Sequence, residues 1–264
     1  MKSYMNDPQL KADFVAELKR HRAADQIQQG TYGNDDDGTW RGCAVACSLR
    51  SLAIIKGQPL MTQYSDHKAF EDGLGIPEWL AHLQDIIFEG LAKDKAADWP
   101  VRFGEAVPVG ADLTRVRWQF NAYLMRENLT LVESLDIPTD LKNRVLDAIN
   151  RSLAVNEQAL VTGIWDNVAA WAASAAWAAR AAQAASEARA ASEARAAWAA
   201  WAASAAWAAR AAWAASEAWA ASAAWAASEA WAASAAWAAS EAWAATHDQM
   251  ADKLIELLEA STNG

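Results

Sequence analysis

The sequence predicts an all-α protein: an N-terminal helical domain followed by a long alanine/tryptophan triplet-repeat helix. Three observations carry this expectation. Apolar residues recur at helical spacing through residues 1–160, and no stretch alternates with the period of a strand. From Val168 to Thr246 alanine dominates without a single glycine or proline, and alanine is the strongest helix former. The final Met250–Leu258 stretch is amphipathic at helical spacing. The expected organisation is a helical head over residues 1–160, the repeat over 161–248, and a short amphipathic helix end over 249–264.

In chain order, Asp7-Pro8 opens the first helix as N-cap and first-turn proline. Leu10, Phe14 and Leu18 share its apolar face and Gly30 closes it. His21 and Asp25 prolong that stripe, which reads as the stripe reaching the surface. Residues 30–42, with Gly30, Gly33, Asn34, Asp35, Asp36, Asp37 and Gly38, read as a solvated turn. The acidic run fails the EF-hand spacing, because it would place Gly33 and Ala44 at ligand positions. Gly42-Cys43-Ala44-Val45-Ala46-Cys47 opens a helix to about Lys56, ended by Gly57. A short helix with His67 and Glu71 precedes Gly73 and Gly75. Pro77 starts another, with Leu80, Leu83, Ile87 and Leu91 apolar and His82, Asp85 and Glu89 on the opposite face, a trio able to bind a metal but read as the helix's solvated side. Residues 92–98 form a short helix stopped by Pro100. Longer helices cover 112–128 (Val116, Phe120, Leu124) and 139–154 (Leu141, Val145, Ile149), and Gly163 is the last breaker before the repeat.

The repeat keeps a strict frame of threes. Val168, Trp171, Ser174, Trp177 and Arg180 begin a series that runs to Ser240, Trp243 and Thr246, with alanine before each position after the first. An α-helix turns about 100° per residue, so a triplet stripe slips back by about 60° at each step. A 3₁₀-helix, at about 3.0 residues per turn, keeps the stripe straight, but runs of it beyond three or four residues are uncommon. The α-helix is expected on base rate, with an extended 3₁₀-helix left open by the pattern. Twelve of the 16 tryptophans lie from Trp165 to Trp243. Left bare on a rod they form a contact surface, so the helix is expected to pack on itself, on the head or on other copies.

Charge and cysteine usage exclude several classes. A net charge of −10 argues against nucleic acid as a partner. The charged residues from Arg180 to Glu241 leave no apolar span of the roughly 18 residues a membrane helix needs. Met1-Lys2-Ser3 opens no apolar run, so no signal peptide is expected. Two cysteines four positions apart make no disulfide framework, and the expected location is the reducing cytoplasm.

Cys43 and Cys47 lie one turn apart at a helix start, without the third cysteine of a radical-type cluster, since Arg50 stands there. Small buried cysteines of this kind pack cores. The functional alternative uses the helix N-terminus to favour a thiolate. Cys43 is then a nucleophile, His67 its base and Asp25 the orienting carboxylate. A metal variant of the same alternative takes His21, Cys43, Cys47 and His67 as a soft zinc set.

Gly42–Cys47, Gly75-Ile76-Pro77, Ile87-Phe88-Glu89-Gly90-Leu91, Gly110-Ala111-Asp112-Leu113 and the triplet tail ending in Met250–Leu258 together resemble an uncharacterised family of bacterial and phage-borne proteins. That pattern often has glycine before the second cysteine, where this chain has Ala46. The resemblance implies a bacterial or phage cytosolic origin and supplies no activity and no site residue.

Two functions from different classes follow. The first is a structural or protein-interaction protein whose tryptophan ridge packs on copies of itself or on another protein, with no cofactor. The second is a cysteine- or metal-dependent enzyme with its site in the N-terminal domain.

Overall fold

A computed structural model describes residues 1–35, 38–134, 139–164 and 236–261. Among these the chain is all-α, with nine helices and no strand. They are α1 (Pro8–Ala23), α2 (Ala44–Ile55), α3 (Lys68–Leu74), α4 (Glu78–Gly90), α5 (Lys93–Ala96), α6 (Trp99–Ala106), α7 (Thr114–Ser134), α8 (Thr139–Thr162) and α9 (Ala236–Glu259). Isolated bridges pair Ile27 with Gly42 and Asn34 with Arg41, and neither extends into a ladder. No helix among the described residues is long and apolar enough to cross a membrane. The expectations for Asp36-Asp37 and for most of the triplet repeat lie outside the described residues.

The chain divides into two compact units, residues 1–116 with 244–264, and residues 117–243. In the first, α1 packs on α2 and α6, while α4 lies against α2, α3 and α6. Phe14, Leu18, Phe70, Leu74, Ile76, Leu80, Ile87, Phe88, Trp99 and Phe103 fill its interior and are almost wholly buried. Trp99 also satisfies its indole N–H on the carbonyl of Gln84 at 2.9 Å, as a buried indole requires.

The first residues form a turn that local preference opposes. Tyr4, Met5 and Asn6 all adopt positive φ, at 51°, 52° and 59°, a conformation costing an L-residue about 1–2 kcal/mol. Tertiary contacts offset it. Tyr4 is completely buried and its hydroxyl donates to the Gly104 carbonyl at 2.6 Å. Ser3 donates from its backbone to Ala111 and accepts from Gly110, and its hydroxyl donates to Pro108.

Several helix boundaries differ from expectation: α7 and α8 run on to Ser134 and Thr162 rather than ending near 128 and 154, and two other boundaries have a visible cause. α1 starts as predicted, with the Asp7 carboxylate accepting from Gln9 N and Pro8 in its first turn. It stops at Ala23 rather than near Gly30, because Asp25 turns left-handed at φ 54°. Gln26 N then donates to His21 O and Gln28 N to Gly42 O, drawing the chain alongside the start of α2. Pro100 does not end a helix but occupies the first turn of α6, where its missing N–H costs nothing.

From Ala244 onward α9 belongs to the first unit. His247, Met250, Ala251, Leu254 and Leu258 are buried there. Lys95 pairs with Asp248 at 2.6 Å and Arg102 with Asp252 at 2.7 Å. Gly90, at the end of α4, leaves room for the His247 ring, which a Cβ at that position would strike. Across Ala236–Thr246 the helix is α.

The second unit is described here by α8 and most of α7. Val132, Val145, Ala148, Ile149 and Ala159 are buried, and Arg126 pairs with Glu157 at 2.7 Å. Asn128 and Asn156 each turn their amide back onto the carbonyl four residues earlier.

Candidate functional site

The carboxylates of Asp85 and Glu89 stand one turn apart on α4 and so share one face. That face was expected to be solvated. Glu89 is exposed as expected and His82 half-buried, but Asp85 is only 8 % exposed, because α4 is packed by α2, α3 and α6 at once and the loop before α2 covers it. Tyr32, in that loop, donates its hydroxyl to Asp85 Oδ2 at 2.9 Å. His67, at the N-cap of α3, places Nε2 3.3 Å from the same oxygen. Its Nδ1 lies 3.1 Å from the Ser65 carbonyl. His82 stacks on His67 with ring centroids 3.9 Å apart and planes 12° from parallel.

Cys43 enters from the other side. It is the N-cap of α2, with extended backbone, and its Sγ accepts from Ala46 N at 3.5 Å. Gly42 before it is needed for fit: a Cβ there would stand 2.7 Å from both the Trp40 ring and the Ala46 methyl. Ligand atoms of Cys43, Asp85 and Glu89 all lie within 4.8 Å of one another. Glu89 is steadied by the backbone N–H of Gly30, at 2.9 and 3.1 Å to its two oxygens.

Electrostatically the site is rich in acceptors. Burial, then the Asp85 charge, pushes the Cys43 thiol well above its ordinary range. The helix N-terminus does not make it a thiolate, because the nearest charge is a carboxylate rather than a cation. Burial and Asp85 likewise raise the Tyr32 phenol, and burial raises the Glu89 carboxyl. Burial, then the neighbouring His67, lowers His82.

The residues expected from sequence are therefore only partly gathered. Cys43 and His67 both stand beside Asp85. Asp25 is exposed in the turn after α1, and among the described residues no hydrogen bond or ion pair joins it to Cys43 or His67. The carboxylate beside His67 is Asp85, not Asp25. The four residues of the zinc set do not converge. Cys47 points its thiol toward the Gly42 and Gln26 carbonyls at 3.3 and 3.6 Å. His21 is held by Gln26 Oε1 at 2.7 Å and packs its ring on Trp40. Among the described residues, the group of potential metal ligands is Cys43, Asp85 and Glu89. The four-residue spacing of Asp85 and Glu89 was visible in the sequence; Tyr32 carried no signal at all.

No protein family model, curated protein or solved structure matches the chain.

Proposed function

We propose that the chain is a structural or protein-interaction protein, in which the head anchors the downstream end of the repeat and the Trp/Ala surface packs on further copies of the chain. The observation carrying this reading is the continuity of α9. One unbroken α-helix runs from the triplets at Ala236 to the buried anchor at His247–Leu258. On an α-helix, residues six apart differ by about 120° in direction. Trp213, Trp219, Trp225, Trp231, Trp237 and Trp243 follow that spacing, so an α-helical tail distributes its indoles over three faces. One neighbour covers one face. Burying all three requires several neighbours, which self-association supplies, and alanine between the indoles permits close backbone approach. The setting proposed is the cytoplasm.

The test is the mass of the intact protein in solution. Multi-angle light scattering should give a multiple of the 28.5 kDa chain that holds steady on dilution. A 28.5 kDa particle at every concentration contradicts self-association.

A second reading, an enzyme with its site in the head, is favoured by one observation. Tyr32, Cys43, His67, Asp85 and Glu89, drawn from separate segments, converge around a buried carboxylate, as reactive groups do in catalytic sites.

A further inference from the structure

We propose that Cys43, Asp85 and Glu89 bind one divalent transition-metal ion of the zinc class, with His67 beside them to complete or orient the set. Three features of the geometry point there. The first is convergence: one thiol and two carboxylates, from the start of α2 and successive turns of α4, bring ligand atoms within 4.8 Å. Ligands of a tetrahedral zinc stand about 3.3–3.5 Å apart, so closure by about 1 Å makes the site.

The second is an unmet acceptor. Asp85 is only 8 % exposed. Its Oδ2 meets both Tyr32 and His67, whereas no nitrogen or hydroxyl donor reaches its buried Oδ1, and the thiol of Cys43, a weak donor, is the group beside the carboxylate. A buried carboxylate oxygen without a donor is costly. No lysine or arginine ion pair among the described residues reaches Asp85 or Glu89; the ionisable partner of Asp85 is His67. A cation at this point answers both deficits.

The third is the support around the ligands. Tyr32 fixes one oxygen of Asp85, and Gly30 N fixes Glu89. With an ion bound, His67 would donate Nδ1–H to Ser65 O and present its Nε2 lone pair to the metal in place of its contact with Asp85 Oδ2. Metal-ligating histidines are oriented by this kind of bond to a carbonyl. A thiolate in the set selects zinc, cobalt or iron over magnesium and calcium, which prefer oxygen alone. On binding, the Cys43 sulfur–hydrogen bond is replaced by a sulfur–metal bond and the proton leaves to solvent.

This inference stands apart from the assembly proposed above, since the head can bind an ion whether or not the tail self-associates. The experiment uses the full chain, stripped with a chelator and titrated with Co²⁺. The expected result is a sulfur-to-cobalt charge-transfer band saturating at one ion per chain and abolished by added Zn²⁺. Cys43→Ser should remove the band and Cys47→Ser should leave it. Asp85→Asn and Glu89→Gln should each weaken binding about tenfold or more. Because a variant can fail to fold, a second measurement uses the unaltered chain. Zn²⁺ should slow alkylation of Cys43, located by mass spectrometry, and leave the rate at Cys47 unchanged. The proposal is overturned by the absence of a band, by a band that survives Cys43→Ser, or by a Cys43 alkylation rate indifferent to Zn²⁺.

Discussion

The imidazole of His247 lies against the bare Cα of Gly90, the last residue of α4, where any Cβ would strike the ring. Residues far apart in sequence thus meet within one compact unit, and the meeting depends on a side chain being absent. Gly90→Ala should either push His247 out of its seat or lift α9 locally. Overpacking of this kind costs about 1–3 kcal/mol. Urea unfolding at constant pH measures it, and an unchanged midpoint would show that the seat is loose.

The anchor of α9 is expected to be apolar rather than ionic. Leu254 is fully buried, so Leu254→Ala should cost about 2–5 kcal/mol. The pairs Lys95–Asp248 and Arg102–Asp252 are largely exposed, and such pairs contribute little. Lys95→Ala with Arg102→Ala should therefore shift the melting temperature far less than Leu254→Ala alone. The reverse order would mean that charge, not burial, holds the helix.

Both thiols should be slow toward an alkylating probe at pH 7 in the metal-free native protein. Burial holds Cys43 and Cys47 above their ordinary range, and only the thiolate attacks. Rates should rise sharply, and equally, in denaturant. A Cys43 that reacts much faster than Cys47 in the native state would instead support a thiol nucleophile.

Stability should fall on mild acidification. His21 is buried against Trp40, and burial lowers its pKa, with Arg50 and Arg20 acting the same way against the hydrogen bond it donates to Gln26 Oε1. The unfolded chain then binds the proton first. This contribution is present above the ordinary histidine pKa of about 6.5. It is lost as pH falls from there toward the lower folded value. Unfolding free energies across that window should show the slope, and His21→Gln should flatten it. His82, lowered by burial and His67, should contribute in the same direction. An equal slope in His21→Gln would assign the effect elsewhere.

Much of the helical order was legible because caps and breakers act locally. Asp7-Pro8 and Gly57 mark ends of α1 and α2 whatever the rest of the chain does. Boundaries set by tertiary contact were not legible. Asp25 adopts a left-handed turn that its own side chain does not demand, and Pro100 reads equally as a stop or as a first-turn residue. The candidate site was hidden for a related reason. Leu80, Leu83 and Ile87 announce one buried face of α4, and polar residues opposite such a stripe ordinarily meet water. Here the loop carrying Tyr32 covers Asp85, and no periodicity reports a cover that arrives from another segment. Cys43 was visible through its place before an apolar helix, and Asp85 and Glu89 through their spacing; that the two groups meet was not.

The most direct test of the assembly reading removes the packing surface and leaves the helix former. Trp213, Trp219 and Trp225 lie on the six-residue spacing, and replacing all three by alanine keeps helix propensity high. Truncating a packed aromatic residue costs about 3–5 kcal/mol, and three such losses rival the stability of a domain, about 5–15 kcal/mol. Light scattering with tryptophan fluorescence on the triple variant should give the mass of a single chain and a red-shifted emission from the remaining indoles. A variant that keeps the mass, melting temperature and emission of the parent chain would show those indoles already in water, and would contradict the account.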